Sequence, residues 1–600
     1  MIRRWRRAKD EHMCGIAGEF RFDGRAPETE TMARMLARLA RRGPDAEGQH
    51  ADGAVRFGHR RLAIIDLSER SRQPMVDAAT GTALVFNGTI YNYPELRAEL
   101  IAAGHVFHSD GDTEVILRAF LQWGEACVER LHGMFAFAIW NRESLFLARD
   151  RLGIKPLYYN EMAGWFRFAS TPQALLAAGD VNNSIDAVAL HHLFTLHAIV
   201  PAPRTIYNGV RKLAPGTTLT INARGKLRHR RYWYLRAERP AVPKSEAEWR
   251  QAIHESLRLA VKKRIEIADV KVGVLLSGGL DSSLLVALLA EQGVQDLLTF
   301  SVGFEDQPEE RGNEFEYSDS VAAMYGTRHH KYLIPNSEVL RRLPEAVDAM
   351  AEPMFAQDSV AFYLLSEQVS KTVKVVQSGQ GADEVFGGYF WYPRMAEETE
   401  GSALDRFRRH YFDRDHEEFL ELAAPPYHGP DYTAETIAAY LAEPFADDFI
   451  DQVLRMDTTM LITDDPVKRV DNMTMAWGLE ARVPFLDQQL VELAAAMPPE
   501  LKLASGGKHM LKKIARGLVP DAVIDRKKGY FPMPALKFVR GEFLGFMQDI
   551  LNSQACRERG LYQRAYVDKL LTAPEQHHTR IQGSKLWHLA LLEYWLQRNG

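Results

Sequence analysis

The sequence predicts an α+β domain followed by an α/β domain, and three observations predict this order. Short alternating apolar runs broken by Gly and Asn fill residues 14–210, a pattern typical of antiparallel strands. From about residue 240, apolar strand-like runs alternate with helical stretches, which indicates a parallel, doubly wound sheet. From about residue 405 the apolar spacing is mostly helical, so the second domain, residues 240–600, is expected to end in a helical region.

Local patterns predict the elements of each domain. In the first domain, strands are predicted in RFGHRRLAIIDL, TALVFNGTIYNY, GMFAFAIWN and SLFLARDRLGIKPLYY, and helices in ETMARMLARLARRG and YPELRAELIAAG. Residues 211–239 are predicted to form a connecting hairpin and linker. In the second domain, VKVGVLLS, LLTFSVGF and VKVVQSG are predicted strands, and SSLLVALLAEQG is a predicted helix that ends at its Gly.

Composition limits the classes of function. The chain has 600 residues, enough for more than one domain, and its formal net charge of -5 gives no electrostatic case for binding nucleic acid or an anionic membrane. No apolar run is long enough to span a bilayer. The only cysteines are Cys14, Cys127 and Cys556, too few for a disulfide framework, so we expect a reducing, cytoplasmic compartment.

The first thirteen residues differ in character from the rest of the chain. MIRRWRRAK resembles the charged start of a signal peptide, but the polar stretch AKDEHMCG stands where the apolar region should be. A short nucleic-acid-binding arm is an alternative. We expect residues 1–13 to be a leader or a start assigned too far upstream.

Cys14 comes directly after Met13 and would become the first residue if the chain began at that Met. An α-amino group has a pKa of about 8, so it can take the thiol proton at neutral pH without a histidine base. This chemistry requires a free amine on Cys14, whereas a lone cysteine is more often a small buried apolar residue. We therefore expect the active enzyme to lack residues 1–13.

The motifs around Cys14 indicate a specific family. After MCGIAG come RRGPDAEG, GHRRLAIIDL, VFNGTIYNY, GDTEVIL, GMFAFAIW and LARDRLGIKPLYY. Their order and spacing over residues 14–210 resemble the class II glutamine amidotransferase domain, an N-terminal-nucleophile hydrolase with an αββα sandwich fold. The resemblance implies that Cys14 attacks the side-chain amide of glutamine, forms a thioester and releases ammonia.

The same resemblance assigns roles to the other matching residues. Asn87, through its side chain, and Gly88, through its backbone N–H, match the oxyanion hole. Arg61 would bind the glutamine α-carboxylate and Asp112 the α-ammonium. Taken alone, Arg61 could be a surface ion pair and Asn87-Gly88 a hairpin turn. Thr89, also expected at the glutamine site, stands where asparagine synthetases commonly have Glu.

A glycine-rich turn between a strand and a helix indicates nucleotide chemistry. LLSGGLDSSLL at 275–285 places two glycines and unpaired helix N–H groups where phosphate oxygens can approach. The GK[ST] ending of a Walker A loop is missing. The loop instead resembles the pyrophosphate-binding loop of ATP pyrophosphatases, which cleave ATP to AMP and pyrophosphate while adenylating a substrate.

The second domain, over roughly 240–600, resembles the asparagine synthetase C-terminal domain. The resemblance also covers VVQSGQGADEVFGGY at 375–389, RVDNMTMAWGLEARVPFLD at 469–487, GGKHMLKKIARGLVP at 506–520 and RKKGYFPMP at 526–534. It implies that Asp281 and Asp383 share Mg²⁺ and that Lys508 contacts the phosphates. The expected ATP-binding residues are Leu276, Ser277, Gly278, Gly279, Asp281, Ser282, Val302, Ser378 and Gly379.

Together the two domains imply glutamine-dependent, ATP-consuming amidation of a carboxylate through an acyl-adenylate. The expected partners are small molecules (glutamine, ATP and a carboxylate acceptor), with no nucleic acid and no membrane, and the family resemblance is compatible with a homodimer. Two alternatives stay open: a non-catalytic binding platform, which would lack glutaminase activity, and an RNA-modifying adenylating enzyme, which would need RNA for activity.

The acceptor is predicted from departures from the asparagine synthetase pattern. Gln380 stands in SGQGADE where that family usually has SG[ED]G, and residues 352–366 and 183–206 also depart from it. These segments resemble the N-acetylglutaminylglutamine amide synthase branch. A neutral Gln380 could hydrogen-bond an acylated substrate that carries no ammonium, without leaving an unpaired charge buried. The alternative is an asparagine synthetase that converts aspartate to asparagine.

Overall fold

Two antiparallel sheets form the first part of the chain, in a computed structural model that describes residues 14–306, 311–526 and 539–600. In spatial order, one sheet contains the strands Arg211–Lys212, Tyr158–Met162, Trp165–Ala169, Gly15–Arg21, Val55–Arg61 and Ala46–Asp52. The other contains Leu227–Arg231, Thr217–Asn222, Ser144–Arg149, Gly133–Trp140, Ala83–Ile90 and Met75–Val76. The predicted leader, residues 1–13, and most of the RKKGYFPMP motif lie outside the described residues.

The two sheets pack face to face because their strands alternate in side-chain direction. Ile16 and Phe57 of one sheet share a buried core with Val85 and Ala138 of the other. The alternate residue Phe86 points outward and packs beneath the helices Tyr93–Ala102 and Asp112–Trp123. Other helices in this part are Thr29–Arg38, Cys127–Arg130, Pro172–Ala178 and Ala187–Thr195, and the first and third of these cover the first sheet. The predicted αββα sandwich is confirmed.

The segment predicted as hairpin and linker, residues 211–239, differs from that expectation. The strands Thr217–Asn222 and Leu227–Arg231 do form a hairpin, but they extend the second sheet, and Arg211–Lys212 extends the first. Leu219 and Ile221 are fully buried in the core between the sheets. Burial of alternate side chains makes these residues part of the sandwich, so only the residues after Arg231 connect the two halves.

The second part contains a parallel sheet, as predicted. Its strands lie in the order Arg328–Ile334, Leu298–Phe304, Val272–Leu275, Val375–Gln377 and Glu480–Arg482, and all neighbours are parallel. The chain builds the sheet outward in one direction from Val272–Leu275 and then returns to its other side at Val375–Gln377. Ligands of open α/β sheets bind where the strand order reverses, at the carboxyl ends of the strands. The loops after these two strands therefore lie at the expected ligand position.

Helices cover this sheet and form the C-terminal region. Those before the last strand of the sheet are Glu246–Glu266, Leu280–Glu291, Phe315–Tyr325, Asn336–Ala349, Asp358–Ser370, Ala382–Phe386, Trp391–Glu397, Ala403–Tyr411, His416–Leu422, Tyr432–Leu441, Phe449–Met456 and Lys468–Met475. Those after it are Gln488–Ala495, Glu500–Leu503, His509–Ala515, Asp521–Asp525, Gly541–Asn552, Gln554–Arg559, Arg564–Thr572 and Lys585–Asn599. In the three described ranges, none of the helices combines the length and apolar character that a membrane crossing requires.

The helix Phe449–Met456 does not end in an ordinary cap. It continues through two π-helical turns, Asp457–Leu461 and Thr463–Val467, into the helix Lys468–Met475. Pro466 lies inside the second turn and removes a backbone donor there. π-Helical turns are rare and often mark functional sites. Both turns border a cavity of about 190 Å³.

Candidate active sites

Cys14 lies in a small cavity that also contains the other residues predicted for glutamine. Arg61, Asn87, Gly88, Thr89 and Asp112 line it, although they are spread over almost a hundred residues of sequence. One further lining residue, Glu480, comes from the second half of the chain. The structure therefore brings the predicted glutamine residues together and adds a carboxylate that sequence reasoning missed.

Cys14 immediately precedes the strand Gly15–Arg21 and is partly buried. Its Sγ accepts a hydrogen bond from the Leu62 N–H at 3.2 Å and lies 3.6 Å from the Leu62 carbonyl oxygen, to which the thiol can donate. Burial raises the pKa of the thiol to about 11, and the charge of Glu480 adds to this effect. The sulfur is therefore protonated at neutral pH, and a nucleophilic role requires a base next to it.

Asn87 and Gly88 lie inside the strand Ala83–Ile90, not in a hairpin turn. A Cβ atom at Gly88 would lie 2.1 Å from the carbonyl oxygen of Met134 on the neighbouring strand, so only glycine fits. The Asn87 side-chain nitrogen is buried and has no hydrogen-bond partner within the described ranges. A buried donor without a partner is costly. Its position in the cavity of Cys14 leaves it available to an oxyanion.

Arg61 is buried and forms no surface ion pair with any residue of the described ranges. Its guanidinium donates to the carbonyl oxygens of Asp66 and Ser68, the latter at 3.0 Å, which fixes the side chain at the end of its strand. Five donors are available on a guanidinium, so N–H groups remain for a carboxylate ligand.

Asp112 begins the helix Asp112–Trp123 and is only 5% exposed. Its carboxylate accepts a hydrogen bond from the Ile90 N–H at 3.0 Å. Burial raises the pKa of Asp112 to about 7, and the charge of Glu480 contributes in the same direction. A carboxylate with this pKa has little compensating positive charge nearby, as expected for a group that binds a cation from solution.

The predicted nucleotide loop lies between the strand Val272–Leu275 and the helix Leu280–Glu291. Ser282 Oγ accepts from the Ser277 N–H at 3.2 Å, and Ser277 Oγ accepts from the Gly279 N–H at 3.3 Å. Gly278 has a φ of +78°, and a Cβ there would lie 2.9 Å from the Ser318 nitrogen. The turn is thus compact and places backbone groups at the carboxyl end of the strand, as phosphate binding requires.

Asp281 and Asp383 both form an ion pair with Lys508, although the two carboxylates belong to different loops. Lys508 Nζ lies 2.6 Å from Asp281 Oδ2 and 2.8 Å from Asp383 Oδ1. Burial alone would lower the pKa of Lys508, but the two carboxylates outweigh it and raise the pKa above its usual value. A Cβ at Gly388 would lie 2.2 Å from Asp383 Oδ1 and 2.3 Å from Lys508 Cε, so this glycine makes room for the cluster.

These residues suit Mg²⁺. Two carboxylates from adjacent loops provide the hard oxygen ligands that Mg²⁺ prefers, together with phosphate oxygens. The third member, a lysine, is a common phosphate ligand. Asp281 and Asp383 are therefore the residues that would hold the ion.

The remaining predicted ATP residues border the same loops. The Leu276 N–H donates to the Phe300 carbonyl at 2.8 Å, and Val302 lies two residues further along that strand. The Ser378 N–H donates to the Arg482 carbonyl at 2.9 Å, and a Cβ at Gly379 would lie 3.0 Å from Asp281 Cβ. Gln380 is partly exposed, and it does not line the cavity that the two π-helical turns border.

Sequence reasoning missed a basic residue beside the nucleotide loop. Arg526 NH2 lies 3.7 Å from the position that a Cβ of Gly279 would occupy. Its guanidinium is 2.8 Å from Glu314 and stacks over Tyr317, with 4.5 Å to the ring centroid. The motif RKKGYFPMP is recognisable in the sequence, but only the fold shows that its first residue reaches the loop.

The cavity that the two π-helical turns border, about 190 Å³ in volume, lies next to the cluster of Asp281, Asp383 and Lys508. Glu384, which comes directly after Asp383, is part of its wall. Four aromatic and four acidic side chains, Glu384 among them, line the cavity. The aromatic ones are Phe355, Tyr389, Trp391 and Tyr411, and the acidic ones are Asp358, Glu384, Asp457 and Asp465.

Most of the charged side chains in this cavity form hydrogen bonds or ion pairs with neighbouring residues. Tyr389 OH donates to Glu384 Oε1 at 2.6 Å. Arg469 lies 3.2 Å from Asp358 and 2.6 Å from Asp465, so its positive charge is compensated. Burial raises the pKa of Asp457 well above its usual range, which favours the neutral acid. The cavity thus offers hydrogen-bond acceptors and aromatic faces, and the guanidinium in its wall is already paired.

Two segments that depart from the asparagine synthetase pattern form part of this wall. Residues 183–206 contribute His197 and Ile199, and residues 352–366 contribute 355–358. His197 Nδ1 is 3.0 Å from Asp413 Oδ2, and this carboxylate raises the pKa of His197 against the opposing effect of burial. The two departures are far apart in sequence but meet at one surface.

Comparison with known proteins relates the chain to one family over both halves. The family described as "Asparagine synthase" matches residues 252–597, and "Glutamine amidotransferase domain" matches residues 13–233. Asparagine synthetase [glutamine-hydrolyzing] 1 of Bacillus subtilis is 32% identical, covering 97% of this chain and 96% of its own length. Asparagine synthetase [glutamine-hydrolyzing] 3 of the same organism is 33% identical, with 87% of each chain covered. Asparagine synthetase B of Escherichia coli is 29% identical, covering 86% of this chain and 82% of its own length.

Proposed function

Because this chain belongs to the asparagine synthetase family, whose members form an amide with nitrogen from glutamine, we propose that it amidates an N-acetylated dipeptide, forming N-acetylglutaminylglutamine amide. The observation that carries the acceptor proposal is the cavity beside Asp281, Asp383 and Lys508, since the segments that depart from the asparagine synthetase pattern line it. The second candidate acceptor is aspartate, on which asparagine synthetases act.

The aromatic walls and the hydrogen-bond acceptors of the cavity favour the acylated dipeptide. Asp358, Glu384, Asp457 and Asp465 line it, and its guanidinium is already paired with two of them. Aspartate would bring two carboxylates and an ammonium, and N-acetylglutaminylglutamine only the carboxylate that reacts, so the two acceptors have the same net charge and differ in the contacts that the rest of each molecule can make. The amide N–H groups of the dipeptide can donate to the acidic side chains, and its methylene and acetyl groups can pack on the aromatic walls.

We propose that glutamine hydrolysis begins at Cys14. The free α-amino group of Cys14 takes the thiol proton, and Sγ attacks the side-chain carbonyl carbon of glutamine. Asn87 and the Gly88 N–H stabilise the oxyanion, the C–N bond breaks, and nitrogen leaves as ammonia with the proton returned by the amine. Water then hydrolyses the thioester to glutamate. Arg61 and Asp112 hold the α-carboxylate and α-ammonium throughout.

In the second site, the acceptor carboxylate attacks the α-phosphorus of ATP, and pyrophosphate leaves to give the acyl-adenylate. Lys508 and the backbone groups of the loop 276–279 stabilise the phosphate charge. Mg²⁺ bound by Asp281 and Asp383 would neutralise charge on the departing pyrophosphate. Ammonia then attacks the acyl carbon, the bond to AMP breaks, and the amide forms.

The test is pyrophosphate release with aspartate or N-acetylglutaminylglutamine as acceptor, with mass-spectrometric identification of the product. Ammonium chloride can replace glutamine, so that the second site is assayed by itself. We expect turnover of the dipeptide and little of aspartate. Turnover of aspartate alone would overturn the acceptor proposal and leave an asparagine synthetase. If neither acceptor is turned over, both the dipeptide and the aspartate proposals are wrong. Glutaminase activity would then still show whether the first site is active.

A further inference from the structure

Glu480 belongs to the edge strand of the second domain's sheet, yet its side chain lines the cavity of Cys14. It is 3% exposed. Glu480 Oε1 accepts from Thr89 Oγ1 at 3.1 Å and from Arg482 Nε at 2.8 Å. A carboxylate from one half of the chain is therefore anchored inside the reaction cavity of the other half.

The two oxygens of Glu480 are not equivalent. The Thr89 hydroxyl and the Arg482 guanidinium, one from each domain, both donate to Oε1, and Lys155 Nζ lies 3.9 Å from Oε2, beyond hydrogen-bond distance. In residues 14–306, 311–526 and 539–600, no donor forms a hydrogen bond with Oε2. A carboxylate oxygen accepts up to two hydrogen bonds, so Oε2 retains acceptor capacity at the cavity.

Glutamine offers a matching donor. Under the proposed function, its α-carboxylate pairs with Arg61, its α-ammonium with Asp112, and its side-chain carbonyl with Asn87 and Gly88. The only polar hydrogens left are those on the side-chain nitrogen, the atom that departs as ammonia. A cavity that buries this NH₂ group without an acceptor would lose binding energy, because an unmade buried hydrogen bond is costly.

We infer that Glu480 is a glutamine-binding residue of the first site, supplied by the second domain, which accepts a hydrogen bond from the side-chain NH₂ of glutamine. This inference rests on the proposed glutaminase function. Thr89 has a matched role, because its hydroxyl holds the carboxylate in place. A Glu at position 89 would instead bring a second carboxylate against a buried one. The glutamine cavity is thus complete only when the two domains are docked.

The test compares two substrates in wild type and Glu480→Gln. Arg482 and Thr89 both donate to one oxygen, so the retained carbonyl stays with them, and an NH₂ group replaces the oxygen that would face glutamine. Glutamate γ-methyl ester undergoes the same attack by Cys14 but has no N–H on its leaving group. We expect kcat/KM for glutamine to fall about tenfold or more, with the ester changed less than about twofold.

A matched control is Glu492→Gln. Glu492 is also a carboxylate of the second domain that is held by a residue outside it, since its Oε1 accepts from Nε1 of Trp233, in the connecting segment, at 2.8 Å, but it does not line the cavity of Cys14. Both activities of this variant should match those of wild type. Ammonia-dependent synthesis by Glu480→Gln serves as the check that the second domain is folded and docked.

Equal losses of kcat/KM for glutamine and the ester would show a merely structural role and overturn the inference. Unchanged kcat/KM for both substrates would also overturn it. If Glu480→Gln does not fold, Thr89→Val removes the supporting hydroxyl with little change of shape, and we expect the same selective loss for glutamine. In addition, Thr89→Glu should impair glutamine hydrolysis, and adding Glu480→Gln should restore part of it. If the wild-type protein hydrolyses neither substrate, the proposed function fails, which is a different outcome from failure of this inference.

Discussion

Glutamine binding should depend on the protonation of Asp112, because an α-ammonium group pairs with a carboxylate and not with a neutral carboxyl group. Burial raises the pKa of Asp112 to about 7, far above the ordinary value of 3.8. The free site is therefore largely protonated below pH 7 and largely ionised above it. Glutamine affinity should rise with pH through this range, whereas an exposed Asp would already be ionised at pH 6.

The size of the change in glutamine affinity with pH is set by the pKa of Asp112. With a pKa of about 7, roughly a tenth of the sites are ionised at pH 6 and roughly nine-tenths at pH 8, so the association constant should rise about tenfold. At pH 7 about half of the free sites carry a proton, and glutamine binding should release about half a proton per site. His59, also buried nearby, has its pKa lowered to about 3 by burial and does not titrate in this range.

The assay is isothermal titration calorimetry with Cys14→Ala at pH 6, 7 and 8, in buffers with different ionisation enthalpies. This variant cannot hydrolyse glutamine. Residues 1–13 are kept on it, so that the nitrogen of residue 14 is an amide and does not titrate. Asp112→Asn should bind weakly with no pH dependence. Glu480→Gln should shift the midpoint to lower pH, because it removes a negative charge that raises the pKa of Asp112. An affinity for Cys14→Ala that is equal at pH 6 and pH 8, with no proton release, would refute the reasoning.

Three further substitutions test the two-site arrangement. Cys14→Ala should abolish glutamine-dependent synthesis but retain ammonia-dependent synthesis, because the residues proposed for adenylation lie in the other domain; loss of both activities in folded protein would contradict this. Asp281→Asn should keep glutaminase activity and lose ATP–pyrophosphate exchange by about a hundredfold, roughly 3 kcal/mol, because it removes a charge that would hold Mg²⁺; exchange at the wild-type rate would exclude Asp281 from the mechanism. Gln380→Glu should change the ratio of dipeptide to aspartate turnover by less than about twofold, because Gln380 does not line the proposed acceptor cavity; a change of about tenfold in favour of aspartate would show that this residue contacts the acceptor.

The sequence predicts the layered first domain and the parallel sheet because both depend on local patterns. Alternation along the strand Ala83–Ile90 places Val85 and Phe86 on opposite faces of its sheet, as the structure shows. The convergence of the residues proposed to bind ATP is also predictable from local order, since their loops come directly after the strands Val272–Leu275 and Val375–Gln377, which are neighbours in the sheet. Residues 211–239 are harder to assign, because a hairpin that extends a sheet and a hairpin that links domains have the same turn signals.

Features that depend on contacts between distant segments could not be predicted. Nothing in the motif GLEARVPFLD indicates that Glu480 enters the cavity of Cys14, since Thr89 is 391 residues away along the chain. The large cavity likewise combines residues near positions 197, 355, 389, 457 and 582, which only tertiary packing brings together. The motif SGQGADE predicts that Gln380 contacts the acceptor, but this residue does not line that cavity.

A buried network of charges fixes the way in which the two domains dock. Asp471 of the second domain lies 2.9 Å from Arg42 and 3.2 Å from Lys155 of the first, and all three are buried. Such a network is no more stabilising than well-packed apolar groups, but removing one partner leaves a buried charge unpaired and costs about 3–5 kcal/mol. A docking that is shifted by one side chain would break these pairs, whereas an apolar interface could slide. A single docked arrangement matters here because Glu480, on the strand that comes after the helix of Asp471, must lie within hydrogen-bond distance of Thr89 to have the role that we propose for it in glutamine binding.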